Sequence, residues 1–375
     1  MHNYKTSKIA IVSSSLTGGG AEKVALNLAN HYSDLGYNID LVLFRANGEY
    51  ISQVSKKVNI IDLKVKHIRY AKELNAMKPM RKYLKTNKPH ALLSVLRTAN
   101  TVVGLSSFGF HHRIIFREAS TMHDVLNMSW FKRFVFLLNM KLSYKKADLV
   151  IANSIDTKND LVKNNIIDIN KIKVISNPVL PDDYLLLSKE PIDDVFLNDK
   201  YNKTIISIGR LVLPKNFPLL IEAFKKIYDH DPATRLLIVG EGYEKENLLR
   251  KIKVLKLENV VRIEWFKQNI YPYIRNSKIF VSSSNWEGFG NVIVEALALG
   301  KPVVCTNCPG GPKSILENGK YGTLVPVENS DSLANAIIES LGKNIDEEFL
   351  MKRGQEFSVR NIAKEYLKHL LPEHV

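Results

Sequence analysis

Cysteine is nearly absent from this chain: Cys305 and Cys308 are the only two in 375 residues. Two cannot build a disulfide framework, and one C-x-x-C with no second pair or nearby histidine lacks the four ligands of a structural zinc site. Long apolar runs are absent too. Stretches such as Phe134 to Leu138 fall far short of the ~18 residues that cross a bilayer. The apolar run after MHNYKTSK is too short for the hydrophobic region of a secretory signal, so a cytoplasmic location is expected. Proline and glycine are sparse, at 14 and 19 residues, with 45% apolar and 24% charged residues; collagen-like and disordered classes are excluded. At roughly 100–200 residues per domain, the length predicts about two domains.

Acidic residues are scarce in one half only. Residues 1–180 hold 27 Lys and Arg against 12 Asp and Glu, and the remainder holds 26 of each, so the whole excess of +15 lies in the first half. Such asymmetry points to two domains with different partners, one of them anionic: nucleic acid, a phosphate-rich substrate or an acidic membrane surface. No Asp-x-Asp pair follows an apolar strand in the second half, and Asp182-Asp183 and Asp193-Asp194 fall in an irregular stretch. Neither a metal site nor a bound cofactor is expected.

What is present alternates regularly. An apolar run (Lys8 to Ser15), a Gly-rich loop (Thr17 to Gly20), a helical pattern (Ala21 to Leu35) and a second run (Ile39 to Phe44) make a βαβ unit. Further strands are predicted at Ala91–Leu96, Arg113–Phe116, Leu149–Ala152 and Lys173–Ile175. Regularity fades in acidic, Pro-containing text over residues 178–203, the expected linker between a first domain over 1–177 and a second over 204–356. Strands then resume at Thr204–Gly209, Arg235–Val239, Val260–Trp265, Ile279–Ser282 and Pro302–Cys305, with helices at Phe217–Tyr228, Glu244–Leu255 and Asn291–Leu299. The expected class is α/β with two doubly wound Rossmann-like domains, whose ligands bind beyond the carboxyl ends of the strands, in a cleft between facing sheets.

Three loops carry the chemistry. LTGGGAEK (Leu16 to Lys23) joins a strand to a helix, and Gly18, Gly19 and Gly20 let the backbone approach a phosphate at the helix start. It is no dinucleotide fingerprint, because the third glycine of G-x-G-x-x-G would fall on Lys23 and Arg45 stands where an acidic residue would hold a ribose. GRLVLPKN places Arg210 and Lys215 at the carboxyl end of a buried strand, where a bidentate guanidinium and a point-charge ammonium suit a diphosphate. NWEGFGNVIVE sets Glu287 in a loop and Glu295 on the helix that follows, with Phe289, Gly290 and Asn291 offering amides at its start.

The combination of GGGAEK, GRLVLPKN, YPYIRNSKIFVSSSNWEGFGNVIVEALALGKPVV and CPGGPKSILENGKYGTLVPV resembles the large retaining GT-B glycosyltransferase family four, particularly members that build bacterial surface polysaccharides. The resemblance is close over 204–341 and thinner before Lys173, where ADLVIANS and VISNPV join the Gly-rich loop. It implies that Glu287 contacts hydroxyls of the transferred sugar, Glu295 holds the nucleotide ribose, and Arg210 and Lys215 bind the diphosphate. It also implies that amides of Phe289, Gly290 and Asn291 lie under the sugar and phosphate, that Gly18 to Gly20 close on the donor, and that the stretch at Trp265 and Phe266 meets the base. A UDP-linked donor, retention at the anomeric carbon without metal, and a last helix (about 357–375) returning to the first domain follow from the same likeness. On the acceptor side, Arg117, Glu118 and His123 match by position; the plain alternative is that Arg117 and Glu118 pair with each other or with neighbours.

Met128 to Lys146 mixes Trp130, Phe131 and Phe134 with Lys132, Arg133, Lys141, Lys145 and Lys146, and the basic stretch Lys64 to Lys88 adds to it. This predicts peripheral attachment to an anionic membrane and a lipid-linked glycan acceptor; a core helix with one solvated face is the alternative. Two other functions compete: a GT-B-fold UDP-sugar epimerase, which would need no acceptor, and a basic nucleic-acid-binding protein. The latter explains neither the neutral second half nor the paired glutamates, so no nucleic-acid partner is expected.

Overall fold

The computed structural model describes residues 7–66, 72–126, 128–197 and 203–372, and the chain divides into two compact units. Unit 1 comprises 1–179 and 359–375; unit 2 comprises 180–358.

Unit 1 alternates strand and helix: β1 (Lys8–Ser13), α1 (Gly20–Asp34), β2 (Asn38–Leu43), β3 (Asn59–Asp62), α2 (Lys72–Asn87), β4 (Ala91–Ser94), α3 (Arg97–Ser106), β5 (Arg113–Glu118), α4 (His123–Leu126), α5 (Trp130–Tyr144), β6 (Leu149–Ala152), α6 (Ile155–Lys163) and β7 (Ile172–Val174). The seven strands are parallel, in the order β3-β2-β1-β4-β5-β6-β7. Parallel strands are covered on both faces, which is why β1, β4 and β6 read as unbroken apolar runs rather than alternating ones.

Unit 2 repeats the plan with α7 (Tyr184–Leu187), β8 (Thr204–Ile208), α8 (Phe217–His230), β9 (Arg235–Val239), α9 (Lys245–Val254), β10 (Val261–Glu264), α10 (Tyr271–Arg275), β11 (Ile279–Ser282), α11 (Asn291–Ala298), β12 (Val303–Thr306), α12 (Pro312–Ile315), β13 (Thr323–Val325), α13 (Ser330–Gly342) and α14 (Glu347–Gln355). Its six strands run β10-β9-β8-β11-β12-β13, again parallel. The last helix, α15 (Val359–Leu370), belongs to unit 1, where the Tyr32 hydroxyl donates to the Ala363 carbonyl at 2.8 Å.

In each sheet the connection order reverses once, between β1 and β4 in unit 1 and between β8 and β11 in unit 2. At such a point the two flanking loops leave in opposite directions and open a crevice beyond the strand ends. In unit 2 those loops are 209–216 and 283–290.

One expectation changes. Residues 180–197 are no linker: Phe196 and Leu197 are buried in unit 2, Asp194 ion-pairs with Arg262, and that guanidinium stacks 4.8 Å from the Phe196 ring. Charge and proline marked the stretch as irregular, but its aromatic and aliphatic residues anchor it. Residues 198–202 of the expected linker, and 67–71 of the basic stretch before Lys88, lie outside the described residues. Strands β3 and β13 escaped prediction because each has only three or four residues on a sheet edge, too short for periodicity to register.

Helix α5 joins the core along one face and leaves an apolar face exposed. Met140, Ser143 and Tyr144 are buried, whereas Trp130 is 80% exposed, Phe131 61% and Phe134 62%. Phe131, Phe134, Val135, Leu138 and Leu142 share one exposed helical stripe, and the segment Met128–Lys146 carries no acidic residue. Among the described residues no helix is long and apolar enough to cross a membrane.

Candidate active site

The switch point of unit 2 brings together residues far apart in sequence. The Lys215 ammonium donates to Oε1 of Glu287 at 2.5 Å, and both side chains are largely shielded from solvent. Arg210, on the same loop, is exposed, and its guanidinium meets no acceptor among the described residues. One cation is therefore engaged and one is available, an arrangement suited to receive a dianion.

Backbone contacts fix the two loops against each other. The Asn285 amide donates to the Pro214 carbonyl at 2.8 Å, and the Asn216 side-chain amide donates to Asn285 Oδ1 at 2.9 Å. Asn216 also caps α8, its Oδ1 accepting from the Leu219 amide, and Pro218 occupies the first turn, where its missing N–H has no consequence. Behind Glu287 lies the CPGGP turn. The Glu287 amide donates to the Pro309 carbonyl at 3.0 Å, and a Cβ on Gly310 would stand 2.0 Å from the Glu287 carbonyl oxygen, so only glycine allows this approach. Gly290, at φ +98°, caps α11 and turns the loop into the helix, whose positive dipole end then lies beside the loop.

The remaining carboxyl-half candidates lie on further elements of unit 2. Glu295, on the second turn of α11, is 1% exposed. Phe289 is buried with its ring 5.8 Å from that of Phe357, so its side chain anchors the loop while its amide belongs to the loop backbone. The Phe266 amide lies 3.4 Å from the Glu241 carboxylate, and the neighbouring Trp265 is exposed with the Lys245 ammonium 3.6 Å from its ring.

Three features of this half were not singled out in the sequence. The serine run that ends β11 ties into both loops: Ser283 Oγ donates to the Lys215 carbonyl at 2.9 Å, and Ser284 Oγ donates to Glu287 Oε1 at 2.7 Å. The signal was there, three hydroxyls in a row at the carboxyl end of a strand. Besides Ser283 and Ser284, the third feature is Gly310, whose requirement comes from a loop remote in sequence. Cys305 and Cys308 are free and buried; burial, reinforced by the nearby Glu287 charge, pushes the Cys308 thiol up to about 12, which keeps it protonated and inert at neutral pH. Among the described residues no three His, Cys, Asp or Glu side chains cluster as metal ligands.

Unit 1 holds the other candidates. Gly18, Gly19 and Gly20 lead into α1, and their loop is organised by Glu22, whose buried carboxylate accepts from the Gly19 amide at 2.7 Å, Ser15 Oγ at 2.8 Å and Thr17 Oγ1 at 3.2 Å. Opposite, the Leu16 amide donates to the Asn47 carbonyl and the Tyr50 amide to the Leu16 carbonyl. The loop is thus set before any ligand arrives.

Arg117 and Glu118 do not pair with each other, because consecutive strand residues point to opposite faces. Arg117 is fully buried and donates to Asn177 and to the Val95 carbonyl. Glu118 is 1% exposed; it ion-pairs with Arg97 at 3.2 Å and accepts from the Tyr144 hydroxyl at 2.5 Å. Burial and the adjacent carboxylate push the Tyr144 pKa well up, so its hydroxyl remains a donor. Of these three acceptor-side candidates only His123, at the start of α4, is exposed.

Comparisons with known proteins agree across both units. The family described as Glycosyltransferase Family 4 matches residues 18–183, and that described as Glycosyl transferases group 1 matches residues 188–357. The N-acetylgalactosamine-N,N'-diacetylbacillosaminyl-diphospho-undecaprenol 4-alpha-N-acetylgalactosaminyltransferase of Campylobacter jejuni is 29% identical over 97% of this chain and 99% of its own. The capsular polysaccharide biosynthesis glycosyltransferase CapM of Staphylococcus aureus is 28% identical over 84% of this chain and 82% of its own. A crystal structure of Anabaena HepE in complex with UDP and glucose superposes with a TM-score of 0.78 at 23% identity, covering 97% of this chain and 99% of that one.

Proposed function

This chain belongs to the GT-B glycosyltransferases of family four, and from that premise we propose that it transfers a hexosyl-type sugar from a UDP-sugar to a lipid-linked glycan in bacterial surface polysaccharide synthesis. The observation that supports the reading is the Lys215–Glu287 contact at the unit 2 switch point, with Arg210 on the Lys215 loop and the start of α11 following the Glu287 loop. The UDP-bound likeness of HepE and the undecaprenol-linked substrate named for the Campylobacter relative support the donor and acceptor classes.

In this mechanism Arg210 clamps the diphosphate through two N–H groups, and Lys215 leaves Glu287 to meet the charge that grows on the departing phosphate. The dipole of α11 adds to the same field. Glu287 then takes a sugar hydroxyl and holds the ring, while Glu295 takes the ribose. With protein cations at the diphosphate, no bridging metal is required. The acceptor hydroxyl attacks from the face the diphosphate leaves, passing its proton to that leaving group, so the anomeric configuration is retained.

The exposed stripe of α5 and its basic neighbours complete the reading. Trp130, Phe131 and Phe134 enter the interface of an acidic leaflet while Lys132, Arg133, Lys141, Lys145 and Lys146 meet lipid phosphates, which brings unit 1 to its acceptor. No observation favours the epimerase or the nucleic-acid reading.

A thermal-shift screen of sugar nucleotides tests the donor class. A ligand at 100 times its dissociation constant stabilises by ~2.7 kcal/mol, so UDP and one UDP-sugar are expected to raise the melting temperature while other nucleotides do not. No shift with any UDP compound would remove the proposal.

A further inference from the structure

We propose that Ser284 is a positioning residue for the transferred sugar, acting through Glu287; this rests on the donor-site reading above. Ser284 is buried, and its hydroxyl donates to Oε1 of Glu287, the same oxygen that receives the Lys215 ammonium. Oε2 has no hydrogen-bond partner among the described residues. A carboxylate gripped through one oxygen by two donors presents its other oxygen to a substrate hydroxyl in a fixed orientation.

The two donors differ in permanence. Lys215 is a cation on a flexible stem, and a diphosphate reaching Arg210 competes with Glu287 for it. When that happens Glu287 loses its strongest partner at the moment its orientation matters most. Ser284 is neutral and has nothing to gain by moving to phosphate. Its frame is also fixed: the Ser284 carbonyl accepts from Thr306 Oγ1 on β12 at 2.5 Å, and the amide of the next residue is tied to Pro214. Ser282 Oγ, 3.3 Å away, is the one other hydroxyl within reach of Ser284 Oγ in the described residues, and it belongs to the rigid strand β11. Adjacent serines thereby serve opposite poles of the site, Ser283 holding the Lys215 backbone and Ser284 holding the Glu287 carboxylate through the exchange of charge.

The test measures UDP affinity by calorimetry and the rate of UDP release from UDP-glucose, UDP-galactose and their N-acetyl counterparts, for wild type, Ser284→Ala, Ser284→Thr and Glu287→Gln. Ser284→Ala is expected to keep UDP affinity within about twofold and to slow release roughly 10- to 100-fold, the range of a hydrogen bond to a charged group. Ser284→Thr, which restores the hydroxyl, is expected to recover most of the rate. Wild-type release by Ser284→Ala alongside slow release by Glu287→Gln would overturn the role of Ser284 and leave the donor site standing. Joint loss of UDP affinity and rate in Ser284→Ala, unrelieved by threonine, would make the residue merely structural and overturn it too. Wild-type release by Glu287→Gln, or no release by wild type from any of the four, would instead overturn the donor-site reading beneath it.

Discussion

Lys215 and Glu287 stand 72 positions apart in the chain, yet the ammonium of one lies 2.5 Å from the carboxylate of the other. The reversal of strand order between β8 and β11 is what brings them together, since their loops leave neighbouring strands at the same end of one sheet. In this arrangement Lys215 and Glu287 offset each other's charge, and Arg210 on the Lys215 loop is exposed.

Replacement of the two glutamates separates their roles. Glu295→Gln is expected to weaken binding of UDP itself, because the ribose contact proposed for Glu295 would persist in the product complex. Glu287→Gln is expected to leave UDP affinity nearly intact and lower turnover. Equal UDP affinity and equal turnover in both variants and wild type would show the site to be misplaced.

Metal dependence follows from the charge supplied by protein side chains. Transfer is expected to survive EDTA, because in the proposed mechanism Arg210 and Lys215 supply the charge that meets the leaving diphosphate. Activity abolished by chelation and restored by magnesium or manganese would contradict this division of labour.

Gly310→Ala tests the frame rather than the chemistry. The added methyl would sit 2.0 Å from the Glu287 carbonyl oxygen, at a backbone φ of +122° that side-chain-bearing residues rarely adopt. The 287–289 loop must shift, and a strained backbone of this kind costs about 1–3 kcal/mol. A lowered melting temperature together with at least a tenfold loss of turnover is expected. Wild-type turnover in this variant would mean that the position of Glu287 is uncritical.

How much of this was legible beforehand depends on the range of the interaction. Strands Leu149–Ala152, Arg235–Val239 and Ile279–Ser282 appear where their apolar runs predicted them, because a buried parallel strand writes itself as a local pattern. The loops bearing Arg210, Lys215 and Glu287 were legible for the same reason: each follows such a strand. The partners of Arg117 and Glu118 were not. Asn177 and Tyr144 reach them from 60 and 26 residues away, and only the folded sheet shows that both charges are enclosed. Ser284 was hidden differently, since a serine in a loop reads as solvated until its carboxylate partner is placed.

Membrane attachment is checked by sedimentation with vesicles. Each Lys or Arg near an acidic leaflet contributes ~1 kcal/mol, so the basic residues of Met128 to Lys146 suffice for reversible binding at low salt. The Debye length falls from ~10 Å at 0.1 M salt to ~3 Å at 1 M, and binding is expected to fall with it. Replacing Lys132, Arg133, Lys141, Lys145 and Lys146 by Gln should reduce binding to acidic vesicles, and replacing Trp130, Phe131 and Phe134 by Ser should remove the salt-resistant remainder. Failure of wild type to sediment with acidic vesicles at low salt would exclude the attachment while leaving the unit 2 site untouched.

The central claim is that the loops after β8 and β11 form a diphosphate site, and calorimetric titration of UDP into wild type and the Arg210→Ala, Lys215→Ala double variant tests it most directly. Wild type is expected to bind UDP, and the double variant, lacking both cations, to bind it at least 100-fold more weakly, since each charge-assisted contact is worth about 1.5–3 kcal/mol. Equal affinity in the two proteins, or no binding to wild type, would contradict the account.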